Sequence, residues 1–139
     1  MKLIDLNVWI ALINGNHVHH AQAVQFWQNE AQPLIFCRIT QLGFLRLTTH
    51  QRVMNNAPFT PKQAWAAYDE LIANPRIQFC EESAALEAEY KRLTQPSKFT
   101  AGDWTDAYLA AFAKTSACTL VSFDSGFKRF KGLAFECLA

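Results

Sequence analysis

Two rhythms of apolar and polar residues alternate along this chain. Short apolar runs, rich in β-branched and aromatic residues, read as strands: Lys2 to Asp5, Leu34 to Arg38, Ile77 to Cys80, Thr119 to Phe123 and Leu133 to Cys137. Longer stretches between them repeat their apolar positions at helical spacing. Val8 to Ile13 forms a first such helix after the Leu6-Asn7 turn and stops at Asn14-Gly15-Asn16. In Ala21 to Asn29 the positions Ala23, Val24, Phe26 and Trp27 share a helical period. Thr40 is placed to cap a helix over Gln41 to Leu47, and Asn55-Asn56-Ala57-Pro58 interrupts the chain after it. Thr60-Pro61 supplies a hydroxyl cap followed by proline at the first helical position, so a helix runs from there to about Ala73 and ends at Asn74-Pro75. Ser83 is placed to cap a further helix with Glu87, Glu89, Lys91 and Arg92 on its solvated face. After the loop Gln95 to Lys98, the helix opening at Asp103 is apolar over most of its surface at Ala107 and Leu109 to Ala113, and burial is expected for it.

Strands alternating with helices predict an α/β fold: one α/β/α sandwich around a parallel sheet of about five strands, with right-handed connections. The 139 residues suit one domain spanning the chain, and no internal repeat or linker divides it. With half of the residues hydrophobic, 18% charged and a formal net charge of +1, disorder is not expected and no partner is indicated by charge alone. The first residues turn polar too early for a secretory signal, and no apolar run reaches the roughly 18–20 residues that span a bilayer. Cys37, Cys80, Cys118 and Cys137 are scattered without a C-x-x-C pair and read as buried free thiols. A soluble, cytoplasmic protein without membrane association is expected. His17, His19 and His20 crowd a helix start, but their spacing fits no zinc motif and they read as polar residues at that start.

The chemistry is expected at one edge of the sheet. Asp5 closes the first strand, Asp124 closes the fourth, and Gln41 lies just past the second. A helix feeding a neighbouring parallel strand runs antiparallel to it, so Asp106 at the start of its helix arrives at the same edge. Asp103, three residues earlier on the same helix face, can join at the rim. Open α/β sheets bind ligands there, at the topological switch point. Two unit charges about 4 Å apart repel by roughly 4 kcal/mol at an effective dielectric of 20, so grouped carboxylates call for protons or a divalent cation. Hard carboxylate oxygens suit Mg²⁺ or Mn²⁺, which activates water and offsets charge on a phosphodiester. No nucleophilic triad is present, and metal-assisted hydrolysis is the chemistry that fits. Taken singly, Asp103 reads equally as a helix cap, and Asp5 and Asp124 as turn formers.

Four blocks together carry a resemblance: Ile4 to Trp9, Ile39 to Arg46, Thr105 to Ala113 and Leu120 to Phe127. In order and over nearly the whole chain, they resemble the PIN domain, and more narrowly the VapC-type toxins of bacterial toxin–antitoxin pairs. The resemblance implies a Mg²⁺- or Mn²⁺-dependent endoribonuclease acting on structured RNA such as transfer RNA, a homodimer, and a cognate antitoxin that blocks the site. Asp5, Asp106 and Asp124 match metal-site acids of the family. Gln41 stands where the family usually has glutamate, and Gly126 where a second acid often follows, so metal affinity is expected to fall unless Asp103 compensates.

RNA also needs positive handles, and Arg46, Lys128, Arg129 and Lys131 lie near the acidic edge in the sequence pattern. Phe127, Trp104 or Trp9 could stack an unpaired base, although core packing serves these aromatics as well. Two other functions use the same scaffold. One is a module that binds RNA or a partner protein without cutting, its site weakened by Gln41. The other is a phosphotransfer domain with Asp5 as nucleophile, against which stands Asn7 where such enzymes carry a second acid.

Overall fold

A computed structural model describes residues 1–139. Its elements are β1 (Lys2–Ile4), α1 (Leu6–Ile13), α2 (His20–Asn29), β2 (Leu34–Phe36), α3 (Arg38–Thr48), α4 (Pro61–Ala73), β3 (Ile77–Phe79), α5 (Leu86–Leu93), α6 (Asp103–Thr115), β4 (Thr119–Ser122) and β5 (Phe135–Cys137), with a 3₁₀ turn at Ser125–Arg129. Five parallel strands lie in the order β3-β2-β1-β4-β5. The expected fold class is the observed one.

Strand alternation divides the core between the two faces of the sheet. Leu3, Ile35 and Leu120 point to one face and pack with Leu109 and Phe112 of α6 and with Leu86 and Leu93 of α5. Ile4, Leu34, Phe36 and Val121 point to the other and pack with Trp9 of α1, Phe44 of α3 and Tyr68 of α4. Trp9 and Phe36 stack with centroids 4.1 Å apart. The α6 helix is buried over Ala107 to Ala113, as its near-continuous apolar surface requires. No helix is long and apolar enough to cross a membrane. All four cysteines are free thiols, with Cys37 and Cys118 buried and Cys80 and Cys137 partly so.

Several boundaries differ from the sequence expectation, each for a local reason. Leu6 and Asn7 are not a turn but the first residues of α1, because Asp5 already caps that helix: its Oδ1 accepts from the Leu6 N–H at 2.7 Å. Thr40 is not the cap of α3. The helix begins at Arg38 after Cys37, and the Thr40 hydroxyl reaches back to accept the Cys37 N–H at 3.0 Å. Ser83 is displaced likewise. Its Oγ accepts the Ala85 N–H at 3.2 Å, and α5 starts only at Leu86. Thr60 and Gln63 form the reciprocal capping pair that the Thr-Pro start of α4 announces. The last strand is shorter than expected, starting at Phe135.

Candidate active site

The sheet order turns at β1: β2 and β3 extend to one side, β4 and β5 to the other. Asp5 follows β1 at this switch point, with its N–H donating 2.9 Å to the Val121 carbonyl of β4. Asp124 lies two residues past the end of β4 and caps the 3₁₀ turn, its Oδ1 accepting the Gly126 N–H at 2.8 Å. The start of α6 delivers Asp103 and Asp106 to the same edge.

Burial pushes the Asp5 carboxyl above its ordinary range, and the charges of Asp106 and Asp124 push it further. Hydrogen bonds from Ser122 and from the Leu6 N–H oppose the rise. The three acids therefore share one electrostatic neighbourhood. They do not close into a ready-made cage, however: nowhere in the chain do three or more His, Cys, Asp or Glu side chains cluster tightly enough to hold an ion. The physical reason is that each carboxylate has found a separate local partner. Asp5 Oδ2 accepts the Ser122 hydroxyl proton at 2.6 Å. Asp124 turns to the Gly126 N–H. Arg129 draws Asp106 aside, its Nη2 donating 3.0 Å to Asp106 Oδ2 and 3.0 Å to Asp103 Oδ1. Asp103 is also fixed by accepting the Thr100 N–H at 2.9 Å, and these bonds hold its carboxyl below the usual range. It is the first residue of α6 rather than its cap.

The donor set suits a divalent ion of the Mg²⁺ or Mn²⁺ kind. It consists of hard oxygens, they repel one another, and the site has already recruited a guanidinium as internal counter-charge. Asp5, Asp106 and Asp124 would hold such an ion, with Asp103 at the rim.

Two residues, Ser122 and Asn7, were not placed in the metal site from sequence. Ser122, fully buried, accepts from Asn7 Nδ2 at 3.0 Å and from the Asp124 N–H at 2.9 Å while donating to Asp5. Asn7 Oδ1 in turn accepts the Phe123 N–H at 3.3 Å. One hydroxyl thus ties the two strand-end acids together. Its signal in the sequence was only a small polar residue inside an apolar strand, two before the acid pair's second member.

Gln41 is buried at the start of α3, but it turns to another neighbour: Arg38 Nη1 donates to its Oε1 at 2.5 Å, and it borders the Tyr68 hydroxyl. It shares no hydrogen bond with the three acids. Gly43, one turn beyond Arg38, lets α3 approach α1 closely, since a Cβ there would lie 2.4 Å from Leu6 Cδ2. Gly126 has a similar reason. A Cβ would come within 2.9 Å of Asp124 Oδ1 and 3.2 Å of an Arg129 nitrogen. Arg46 and Lys128 are exposed, and Arg129 is committed to the acids and to the Gly126 carbonyl at 2.7 Å. Trp9 and Phe127 are fully buried and unavailable to a base, whereas Trp104 is 50% exposed.

The model of the PIN domain family matches residues 2–133. The chain belongs to the PIN-domain family. Ribonuclease VapC41 of Mycobacterium tuberculosis is 37% identical over 146 aligned positions, covering 100% of this chain and 99% of that protein. Among solved structures, VapC20 of Mycobacterium tuberculosis, a toxin cleaving the sarcin–ricin loop, superposes with a TM-score of 0.71 at 17% identity, over 92% of this chain and 93% of that one. A DNA-bound VapBC complex from Salmonella typhimurium gives a TM-score of 0.71 at 15% identity, over 99% of this chain and 98% of that one. These two likenesses bear on the PIN fold, which the chain shares nearly end to end.

Proposed function

We propose that this PIN domain is a divalent-metal-dependent endoribonuclease, the toxin of a type II toxin–antitoxin pair, hydrolysing RNA phosphodiester bonds. One observation carries the reading. In a chain that aligns end to end with a ribonuclease of the VapC group, a partly buried Asp5 sits in the combined field of Asp106 and Asp124 at the switch point of a parallel sheet. Asp5, Asp106 and Asp124 are the catalytic and metal-holding residues, with Asp103 in support. Mg²⁺ or Mn²⁺ bound there supplies an activated water and charge relief on the phosphodiester.

The remaining work falls to the chain itself. Ser122 fixes the rotamer of Asp5 so that Oδ1 and Oδ2 have separate partners. Gln41, held by Arg38, contributes a neutral wall rather than a charge. Arg46 and Lys128 steady the RNA backbone, and Arg129, now paired with Asp106, would be released to join them were a divalent ion held there. Structural neighbours that are toxin–antitoxin assemblies, such as the VapBC complex of Salmonella typhimurium, support an antitoxin partner, and the family resemblance supports a homodimer. Substrate RNA, transfer RNA included, belongs to the same reading.

The purified chain is expected to cut RNA when Mg²⁺ or Mn²⁺ is added and to stop when the ion is chelated. Asp5→Ala is expected to abolish cutting; undiminished cleavage by that variant would overturn the assignment. Copurification with a small DNA-binding protein encoded beside this chain tests the antitoxin, and sizing of the isolated chain tests the dimer.

A further inference from the structure

Between the end of α5, the 94–102 connection and the Ser125–Arg129 turn lies a cleft of about 390 Å³. It opens beside the site, sharing Asp103 with it but not Asp5, Asp106 or Asp124. Its lining is unlike theirs. Arg92, Lys98, Arg129 and Lys131 supply four cations against one acid, Asp103, and Phe99 and Phe130 supply aromatic surface. Asp103 is already neutralised by Arg129, and Arg92 is forked onto Glu89. Lys98 and Lys131 remain exposed with their ammonium groups unpaired.

The geometry points to a nucleotide subsite: we infer that this cleft seats one nucleotide of the RNA strand next to the scissile phosphate, its base on Phe99 and its phosphate between Lys98 and Lys131. This rests on the ribonuclease reading above and names where the strand lies. Three physical reasons favour it. A cluster of carboxylates repels a polyanion, so the strand needs positive ground immediately beside the site. The volume lies at the lower end of the ligand-pocket range, suited to one nucleotide rather than a duplex. Aromatic surface interleaved with cations is the combination that binds single strands, since every base offers a π-face.

The wall between cleft and acids is Arg129. Its guanidinium carbon stands 4.4 Å from the centroid of the Phe130 ring, while Nη2 donates to Asp103 and Asp106. A strand lying in the cleft therefore passes directly to the acid edge across Arg129. Phe99 is held edge-on to Trp104, centroids 5.0 Å apart, which fixes the orientation of its ring, and exposed Trp104 extends the apolar ground. An acidic peptide would meet the same lysines but would leave the aromatic surface unused.

The test uses the full chain carrying Asp5→Asn, so that RNA is bound without being cut, and fluorescence anisotropy of a short single-stranded oligoribonucleotide in Mg²⁺. Lys98→Ala with Lys131→Ala is expected to make the log Kd against log salt slope shallower by about 0.7, the change for one lost phosphate contact on a single strand. Phe99→Ala is expected to weaken binding about tenfold with the slope unchanged, and Phe99→Trp to restore it. An oligomer lacking bases should bind Phe99→Ala and its parent alike. Circular dichroism and calorimetric Mg²⁺ binding should be unaltered in all these variants on an otherwise native background, because none of the three side chains reaches Asp5, Asp106 or Asp124. If the native chain cleaves RNA while every variant binds as its parent does, the subsite is wrong and the ribonuclease stands. If the native chain neither binds nor cuts RNA, both fall. If the variants lose affinity for an acidic peptide but none for RNA, the cleft is a protein-docking site and the inference is overturned.

Discussion

At Asp5 one oxygen caps α1 and the other accepts a hydrogen bond from the Ser122 hydroxyl, yet burial and two neighbouring acids still raise its carboxyl above the ordinary range. The sign of the consequence follows. Between its unfolded value and its raised folded value, the folded chain holds a proton that the unfolded chain has released, so this residue's contribution to stability falls as pH rises through that window. Above the window, the ionised carboxylate is a standing cost. Asp5→Asn keeps an oxygen for the Leu6 cap and removes the charge. It is expected to raise the unfolding temperature of the metal-free chain at pH 7 while eliminating RNA cleavage, which thermal melts and a gel assay check together. Gln41 behaves differently because Arg38 already occupies its Oε1. A lone Gln41→Glu change is expected to pair with Arg38 and to leave divalent affinity nearly unaltered by calorimetry. Combined with Arg38→Gln, the new charge is free and affinity should rise several-fold.

The helix pair α5–α6 is fastened at Glu89, whose carboxylate accepts from Arg92 of its own helix and pairs with Lys114 of α6 at 2.6 Å. These partners hold the Glu89 carboxyl at about 2, well below the ordinary value, and the Arg92 hydrogen bond is the largest cause. A depressed carboxyl contributes stability at pH above its unfolded value, and that contribution disappears as pH falls through the depressed one. Discounted for solvent screening, the Glu89–Lys114 bridge between the helices is worth on the order of 1 kcal/mol. Glu89→Gln should therefore be less stable than the native chain at pH 7, and the gap should close between about pH 4.5 and pH 2, measured by denaturant melts. The arrangement also matters for the site, because α6 carries Asp103 and Asp106 at its other end. Helix periodicity made α5 and α6 legible, and the i,i+3 pair of Glu89 with Arg92 lies on the solvated face that the sequence suggests. Lys114 could not be added from sequence, since its meeting with Glu89 depends on how two helices cross.

For the whole molecule, the decisive property is that three distant segments deliver negative charge to one sheet edge while Arg129 partly neutralises it. A ligand that binds only the folded state stabilises it by mass action. Millimolar Mg²⁺ or Mn²⁺ is accordingly expected to raise the unfolding temperature of the native chain, and chelation to reverse the shift. Asp106→Asn and Asp124→Asn should each reduce the shift sharply without changing the circular dichroism spectrum. An identical shift in all three proteins would show that the ion binds elsewhere.

The amino-acid pattern by itself determined the layers. Alternation in the strands and the all-round apolar surface of α6 permit only a covered parallel sheet, and the end positions of Asp5, Asp106 and Asp124 follow from chain direction alone. What only the tertiary structure decided are the contacts made by side chains far apart in sequence. Ser122 reaches Asn7 across 115 positions, and Arg129 reaches Asp103 across 26. Local periodicity encodes which way a segment faces. It carries no record of which polar atom a carboxylate will choose once several compete for it, and that choice is what keeps these acids apart while holding them in one field.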